Sequence, residues 1–484
     1  MNVADVALGQ ERQKIGARST GSQAVRFLAL AALSALLLFP SLRRQGLAGY
    51  DDSYFAHEGK EMVRTGDWWN IRFNGDFILA HPPLFPWLEA SSFKLFGVND
   101  SAAKFPTALL GFATILLMYF LTLELTGDSW LALMAMLVLG STQFFLKNAS
   151  HAMTDVPFTF FFALAILFYL KGLKNGLYLL VMGLPLACAV LTRSVVGFLA
   201  VGIILAHLLL MKRYGLLCSP RLIGGIALAF ALPAIWYVSQ YRLHGAAFFE
   251  SHLAFLNSKI HAEGAAAGWS TVFNYPMALL KYYWPWLPFL VAGFVMAARA
   301  AVREKDQAAL LLICWLALVI VPFSLAQTRY PRYIMAAFPA FSILSAMALN
   351  RLVPVAHRKS FFNAACAVGF LAVCLSLLFP PKARADDITK LAPIAEANSS
   401  PDQRILIYTY EDGRSDYLYQ LIWYSDRYAR LADNLNDLAA KLLHSASATV
   451  IIDKESYGKL LPLIPGMTTH IVGESENLIC FRAP

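Results

Sequence analysis

Two adjacent carboxylates, Asp51 and Asp52, stand in the stretch GYDDSYFAHEGKEMVRTGDWWNIRFNG, shortly after an apolar run. A third, Asp155, opens another apolar run in KNASHAMTDVPFTFFF. Carboxylates so placed can take or orient the proton of a hydroxyl. As helix N-caps they would only satisfy free N–H groups, worth about 0.5 to 2 kcal/mol. Ionisable groups at membrane depth are costly, however, and a pair of acids with a third at the same depth points to chemistry. Basic residues are few on the side of the predicted topology that these acids share, and Arg193 in LTRSVVG and Arg329 and Arg332 in SLAQTRYPRY stand out there. Their guanidinium forks suit phosphate. Six of the ten histidines, His57, His81, His151, His244, His252 and His261, fall on the same side of the chain's predicted topology. Imidazole suits zinc, and carboxylate oxygen suits magnesium or manganese. A divalent metal held by His81 and His252 is therefore one expectation, although no pair has the spacing of a known metal motif.

The elements that must position these groups are apolar helices. Of 484 residues, 58% are hydrophobic and 15% charged, well below the roughly 25% charged content of soluble domains. About eleven apolar runs, near 25–41, 106–125, 130–146, 156–171, 176–192, 195–211, 222–240, 276–298, 308–325, 333–350 and 361–380, are long enough to cross a hydrocarbon core of roughly 30 Å. Lipid cannot satisfy open backbone groups, so the expectation is an all-α polytopic membrane protein. Lys and Arg cluster before the first run and in alternate loops, which places residues 1–24 and those loops in the cytoplasm. The formal charge of +9, from 40 basic and 31 acidic residues, then reports topology rather than nucleic-acid binding. The six cysteines show no disulfide framework and no CxxC pair.

With the transmembrane domain over 25–380, three segments face outward: a first loop at 42–105, a second at 241–275, and a C-terminal region at 381–484. In the first loop, helical spacing predicts a surface helix over 52–64, carrying Tyr54 and Glu58. It predicts a second over Pro83–Phe96, with Leu84, Trp87, Leu88, Ser91 and Leu95 along one side. The β-branched runs RILIYTY, ATVIID and THIVG alternate with helical patterns, predicting a small C-terminal α/β extracytoplasmic domain.

The segments DDSYFAHEGKEMVRTGDWWNIRFNGDFILAHPPLFPWL and FGVNDSAAKFPTALLG, with TDVPFTFFF and SxxxxRYPRY, resemble the protein O-mannosyltransferase superfamily, including the lipid A aminoarabinose transferases. That resemblance implies the GT-C fold and an inverting glycosyltransferase in the inner membrane, with an extracytoplasmic site. The donor would be a sugar on polyprenyl phosphate and the acceptor a glycolipid or protein hydroxyl. It aligns Asp51 with the superfamily's first-loop acid, a general base or acceptor-orienting group, and Asp155 with its second acid. Asp52, Tyr54, Glu58 and His252 would line the site, and Asp52→Asn should do less damage than Asp51→Asn. Where aminoarabinose transferases carry Glu-Lys before PP, this chain carries Ala80-His81, and Tyr54 replaces an Arg. Donor-phosphate binding accordingly falls to Arg193, Arg329, Arg332 and His81. A transporter or flippase of lipid-linked sugars is the rival reading; it would predict an internal repeat and broken helices at corresponding positions.

Overall fold

The structure, a computed structural model, describes residues 23–43, 46–47, 49–260, 273–378, 387–409, 414–445 and 447–483. His261 and nearly all of the N-terminal 1–24 segment lie outside the described residues. Eight helices among them are long and apolar enough to span a membrane, or nine if the bent pair Ser129–Ser141 and Gln143–Ala149 forms one span. The bundle is central at Pro331–Leu352, whose apolar window is 89% buried, and peripheral at Val355–Leu375, where it is 11%. A helix apolar on all sides settles inside, and one left open to lipid sits at the rim.

Two differences from the eleven expected runs have physical causes. The runs 176–192 and 195–211 count as one apolar stretch, Leu177–Leu210, by length and composition. They are not one rod. Ser194 has φ 53°, and a Cβ on Gly197 would meet the backbone nitrogen of Val190 at 2.6 Å, whereas residues seven apart in a continuous helix are about 10 Å apart. The chain folds back on itself there. The run 276–298 is divided into Asn274–Tyr282 and Leu287–Arg299, around Pro285, which cannot donate to the helical ladder.

The first loop contains both expected helices, Gly49–Thr65 and Leu84–Phe96. It also contains a two-stranded hairpin, Arg72–Phe73 with Asp76–Phe77, turned at Asn74-Gly75 with φ of 55° and 86°. That is the Asn-Gly signal of a tight hairpin. Gly49–Thr65 is not a surface helix: Asp52, Ala56, His57, Glu58 and Met62 are all buried. In Leu84–Phe96 the buried face is Phe85, Glu89, Ala90, Ser92 and Phe93, while Ser91 and Leu95 are exposed. The stripe that the spacing selects thus faces outward, because beside a bilayer the outer face of a helix can be the more apolar one.

The C-terminal unit is a five-stranded sheet in the order Ala429–Leu431, Ile405–Tyr408, Ala448–Asp453, Leu478–Ala483, His470–Glu474. The first three strands are parallel and the last two antiparallel. Alternating residues feed two cores. Leu406, Val450, Ile452 and Phe481 pack with Leu438 and Leu442 on one face. Ile405, Ile407, Ile451 and Cys480 pack with Ile388, Leu391, Leu421 and Ile422 on the other. Period-two alternation with helices on both faces makes a small α/β layer structure.

This unit is fastened to the first loop. Trp423 Nε1 donates to Asp100 Oδ1 at 2.8 Å, and Lys60 Nζ lies 2.9 Å from Asp426. Asn74 exchanges two hydrogen bonds with the backbone of Ala429, at 2.8 and 3.0 Å.

Candidate active site

Asp51 and Asp52 lie in the first turn of Gly49–Thr65, where free N–H groups favour negative charge. Successive helical side chains point about 100° apart, so the two carboxylates diverge. Asp51 is partly exposed and faces Arg332, with Oδ2 2.7 Å from Nη2. Asp52 is 1% exposed and its Oδ2 lies 2.6 Å from His151 Nδ1.

Asp155 begins the span Asp155–Gly172 and is buried. Arg193, the last residue of Gly183–Arg193, donates from Nη1 to Asp155 Oδ1 at 2.5 Å. Arg332, in the tight turn Pro331–Ala337, reaches Asp155 at 3.9 Å as well as Asp51. Four groups far apart in sequence therefore alternate in charge: Arg193, Asp155, Arg332, Asp51. They line a cavity of about 300 Å³ whose other walls include Tyr54, His81, Phe85, Phe255 and Phe323. Charge along one wall and aromatic rings along the others suit a ligand with an anionic head and an apolar body.

His81 lines the same cavity. Its Nε2 lies 3.0 Å from Glu58 Oε1, and Glu58 is fully buried behind it. Burial opposes charge on His81, but the Glu58 carboxylate outweighs it and holds the imidazole above its usual pKa. Burial likewise pushes Glu58 up, with His81 and the Tyr54 hydroxyl pulling against it. Glu89, also fully buried, is pushed far up by burial and then by the charges of Glu58 and Asp52. Both causes favour its protonated form. Only its isolation as the one charged residue in LFPWLEASSF marks it in the sequence.

His252 does not line the cavity; it braces it. Its Nε2 lies 2.8 Å from Ser194 Oγ, which also accepts from the Tyr237 hydroxyl at 3.1 Å. Burial lowers the imidazole's pKa. Arg329 is not in the alternating chain either. Its Nε and Nη1 are buried, and its charge acts on Tyr275. Two of the three expected arginines thus converge, and the third stands behind them.

The expected metal pair does not fit as a donor set. Nε2 of His81 is turned to Glu58 and Nε2 of His252 to Ser194. Among the described residues, no three His, Cys, Asp or Glu groups are arranged to hold a metal. A separate hollow of about 870 Å³ lies between the first loop and the C-terminal unit, lined by Lys60, Arg64, Asp100 and Trp423. Of the cations that line it, Lys60 pairs with Asp426 and Arg64 with Glu61.

Residues 23–249 match the family described as dolichyl-phosphate-mannose-protein mannosyltransferase. An uncharacterized protein of Aquifex aeolicus is 30% identical over 329 residues, 67% of this chain and 64% of the relative. The undecaprenyl phosphate-alpha-4-amino-4-deoxy-L-arabinose arabinosyl transferase 2 of Sodalis glossinidius is 26% identical over 340 residues, 66% of this chain and 58% of the relative. The chain thus spans less than two thirds of the length of either. In three dimensions, ArnT from Cupriavidus metallidurans in the apo state superposes with a TM-score of 0.76 at 18% identity, over 96% of this chain and 98% of that one. The same protein bound to undecaprenyl phosphate gives 0.73 at 16% identity, over 94% and 97%. Residues 23–249 are thus similar to the dolichyl-phosphate-mannose-protein mannosyltransferase family, and the whole chain has the fold of ArnT from Cupriavidus metallidurans.

Proposed function

We propose that this protein is an inverting glycosyltransferase that moves a sugar from a polyprenyl-phosphate donor to a glycolipid or protein hydroxyl outside the membrane. The observation that carries the reading is the Arg193–Asp155–Arg332–Asp51 chain at the wall of a partly aromatic cavity. The donor phosphate takes the arginine N–H groups left over from the carboxylates, with His81 adding positive charge, while the prenyl tail follows the apolar walls. Phosphate leaves as an anion, so cations can stabilise it without a general acid. Asp155 holds both arginines in place. Asp51 lines the same wall and orients the acceptor hydroxyl.

The lysine and arginine distribution supports an inner-membrane protein with the N-terminus in the cytoplasm and the site and the unit at 381–484 outside it. The relatives' names, which describe transfer of a sugar, favour this reading over movement of a lipid between leaflets.

The test compares envelope lipids and glycoproteins by mass spectrometry with and without the protein. A sugar-sized mass increment that depends on it supports the reading; donor lipid changing leaflet with no acceptor modified overturns it. Asp51→Asn is expected to leave the protein folded and membrane-bound but to lower transfer by about 10² or more, the scale of losing one positioned polar group at a reacting centre. Wild-type turnover by that variant would remove Asp51 from the site.

A further inference from the structure

A second cavity, of about 330 Å³, lies across the Asp51–Arg332 pair from the first. The two share Asp51, Met153 and Arg332 as a common wall. On the second cavity's side stand His151, Lys147, Tyr282 and Tyr330. His151 lies in the turn between Gln143–Ala149 and Asp155–Gly172, so the segment that supplies Asp155 to one cavity supplies His151 to the other.

The His151 ring is held from behind. Its Nδ1 is 2.6 Å from Asp52 Oδ2; the Asp52 side chain is 1% exposed and that of His151 is 19%. A carboxylate at Nδ1 fixes the tautomer with the proton on that nitrogen, leaving the Nε2 lone pair on the opposite edge of the ring. Among the described residues no hydrogen bond engages Nε2. A buried Asp, an oriented His and a cavity in front of it are the parts of a general base.

We infer that His151, oriented by Asp52, takes the proton from the acceptor hydroxyl, and that the second cavity is where the acceptor binds. This rests on the glycosyltransferase reading above. In an inverting displacement the acceptor oxygen approaches the anomeric carbon from the side opposite the leaving phosphate oxygen. With the phosphate at Arg193 and His81 in the first cavity, the hydroxyl approaches from across the shared wall. The new bond joins the acceptor oxygen to the anomeric carbon, and the bond from that carbon to the phosphate oxygen breaks. Its electron pair leaves on the polyprenyl phosphate, and the hydroxyl proton moves to His151 Nε2. The imidazolium so formed is stabilised by Asp52 and later loses the proton to water in the open cavity. His151 is then a catalytic residue, and Asp52 a positioning residue that acts through it.

The experiment measures transfer in isolated membranes, which carry their own donor and acceptor, alongside binding of undecaprenyl phosphate to the purified protein. His151→Gln, close in volume, is expected to lower transfer by about 10² to 10⁴, the usual share of general-base catalysis, with undecaprenyl phosphate bound as in the wild type. Added imidazole should restore transfer to His151→Gly in proportion to its concentration. Asp52→Asn should also lose transfer, and the double variant Asp52→Asn/His151→Gln should lose little more than His151→Gln alone. Transfer by His151→Gln within threefold of wild type, or its loss without imidazole rescue while undecaprenyl phosphate still binds, overturns the inference alone. Failure of the wild type to bind undecaprenyl phosphate or to modify any acceptor overturns the glycosyltransferase reading instead.

Discussion

At the scale of single residues, the site is a set of charges that neutralise one another in pairs. Asp51 and Asp52 look interchangeable as written, yet one helical step sends them to different partners, Arg332 and His151. The Glu58–His81 pair gives the cavity a titratable cation. Because Glu58 holds the His81 pKa up against burial, the positive charge is present below that raised pKa and is lost as pH rises through it. The neighbouring imidazole of His252 has its own pKa lowered, chiefly by burial and in smaller part by the charge of His81. Affinity for undecaprenyl phosphate, measured across pH, is therefore expected to fall on the alkaline side in wild type. In Glu58→Gln the fall should move to lower pH, and in His81→Lys it should vanish over that range. A fall of the same size and position in all three proteins would show that His81 does not face the phosphate.

At the scale of elements, the decisive piece is the reversal at Ser194. It ends one apolar helix, starts the next and presents Arg193 to Asp155. Gly197 permits it, since a Cβ there would lie within 2.6 to 2.8 Å of the backbone of Val190 and Ala189. Gly197→Ala is expected to destabilise the protein by about 1 to 3 kcal/mol, as overpacking does, and to weaken undecaprenyl phosphate binding through displacement of Arg193. Thermal melting and a binding titration together check both effects. The two apolar runs are legible in the sequence, but a fold-back without a loop is not, because LTRSVVG carries little turn chemistry beyond Gly197. The Asn74-Gly75 hairpin, in contrast, was written in a recognisable dipeptide.

At the scale of the whole molecule, the C-terminal α/β unit closes over the first loop and buries the helix that carries Asp51 and Asp52. Trp423 is the principal fastener: it is 6% exposed, packs on Phe93, stacks with Lys60 and donates to Asp100. Trp423→Ala is expected to cost about 3 to 5 kcal/mol, the usual range for a buried aromatic removed to Ala. Limited proteolysis should then cut the C-terminal unit faster, and transfer should fall although no residue lining either cavity has changed. Unaltered proteolysis would show that the unit is held by its other contacts.

The sequence by itself determined the class of molecule, since apolar runs with little internal charge must be helices in lipid. It also determined which residue types could serve as acids and phosphate ligands, and the existence of the two first-loop helices and the C-terminal α/β pattern. Tertiary structure alone decided which charges meet. Arg193 and Arg332 reach Asp155 while Arg329 does not, and His252 braces where His81 lines. Spacing also selected the outward stripe of Leu84–Phe96, because hydropathy marks an apolar face without saying whether lipid or protein covers it. Pairing between groups 38 to 281 residues apart depends on how helices pack, and local periodicity carries no record of that.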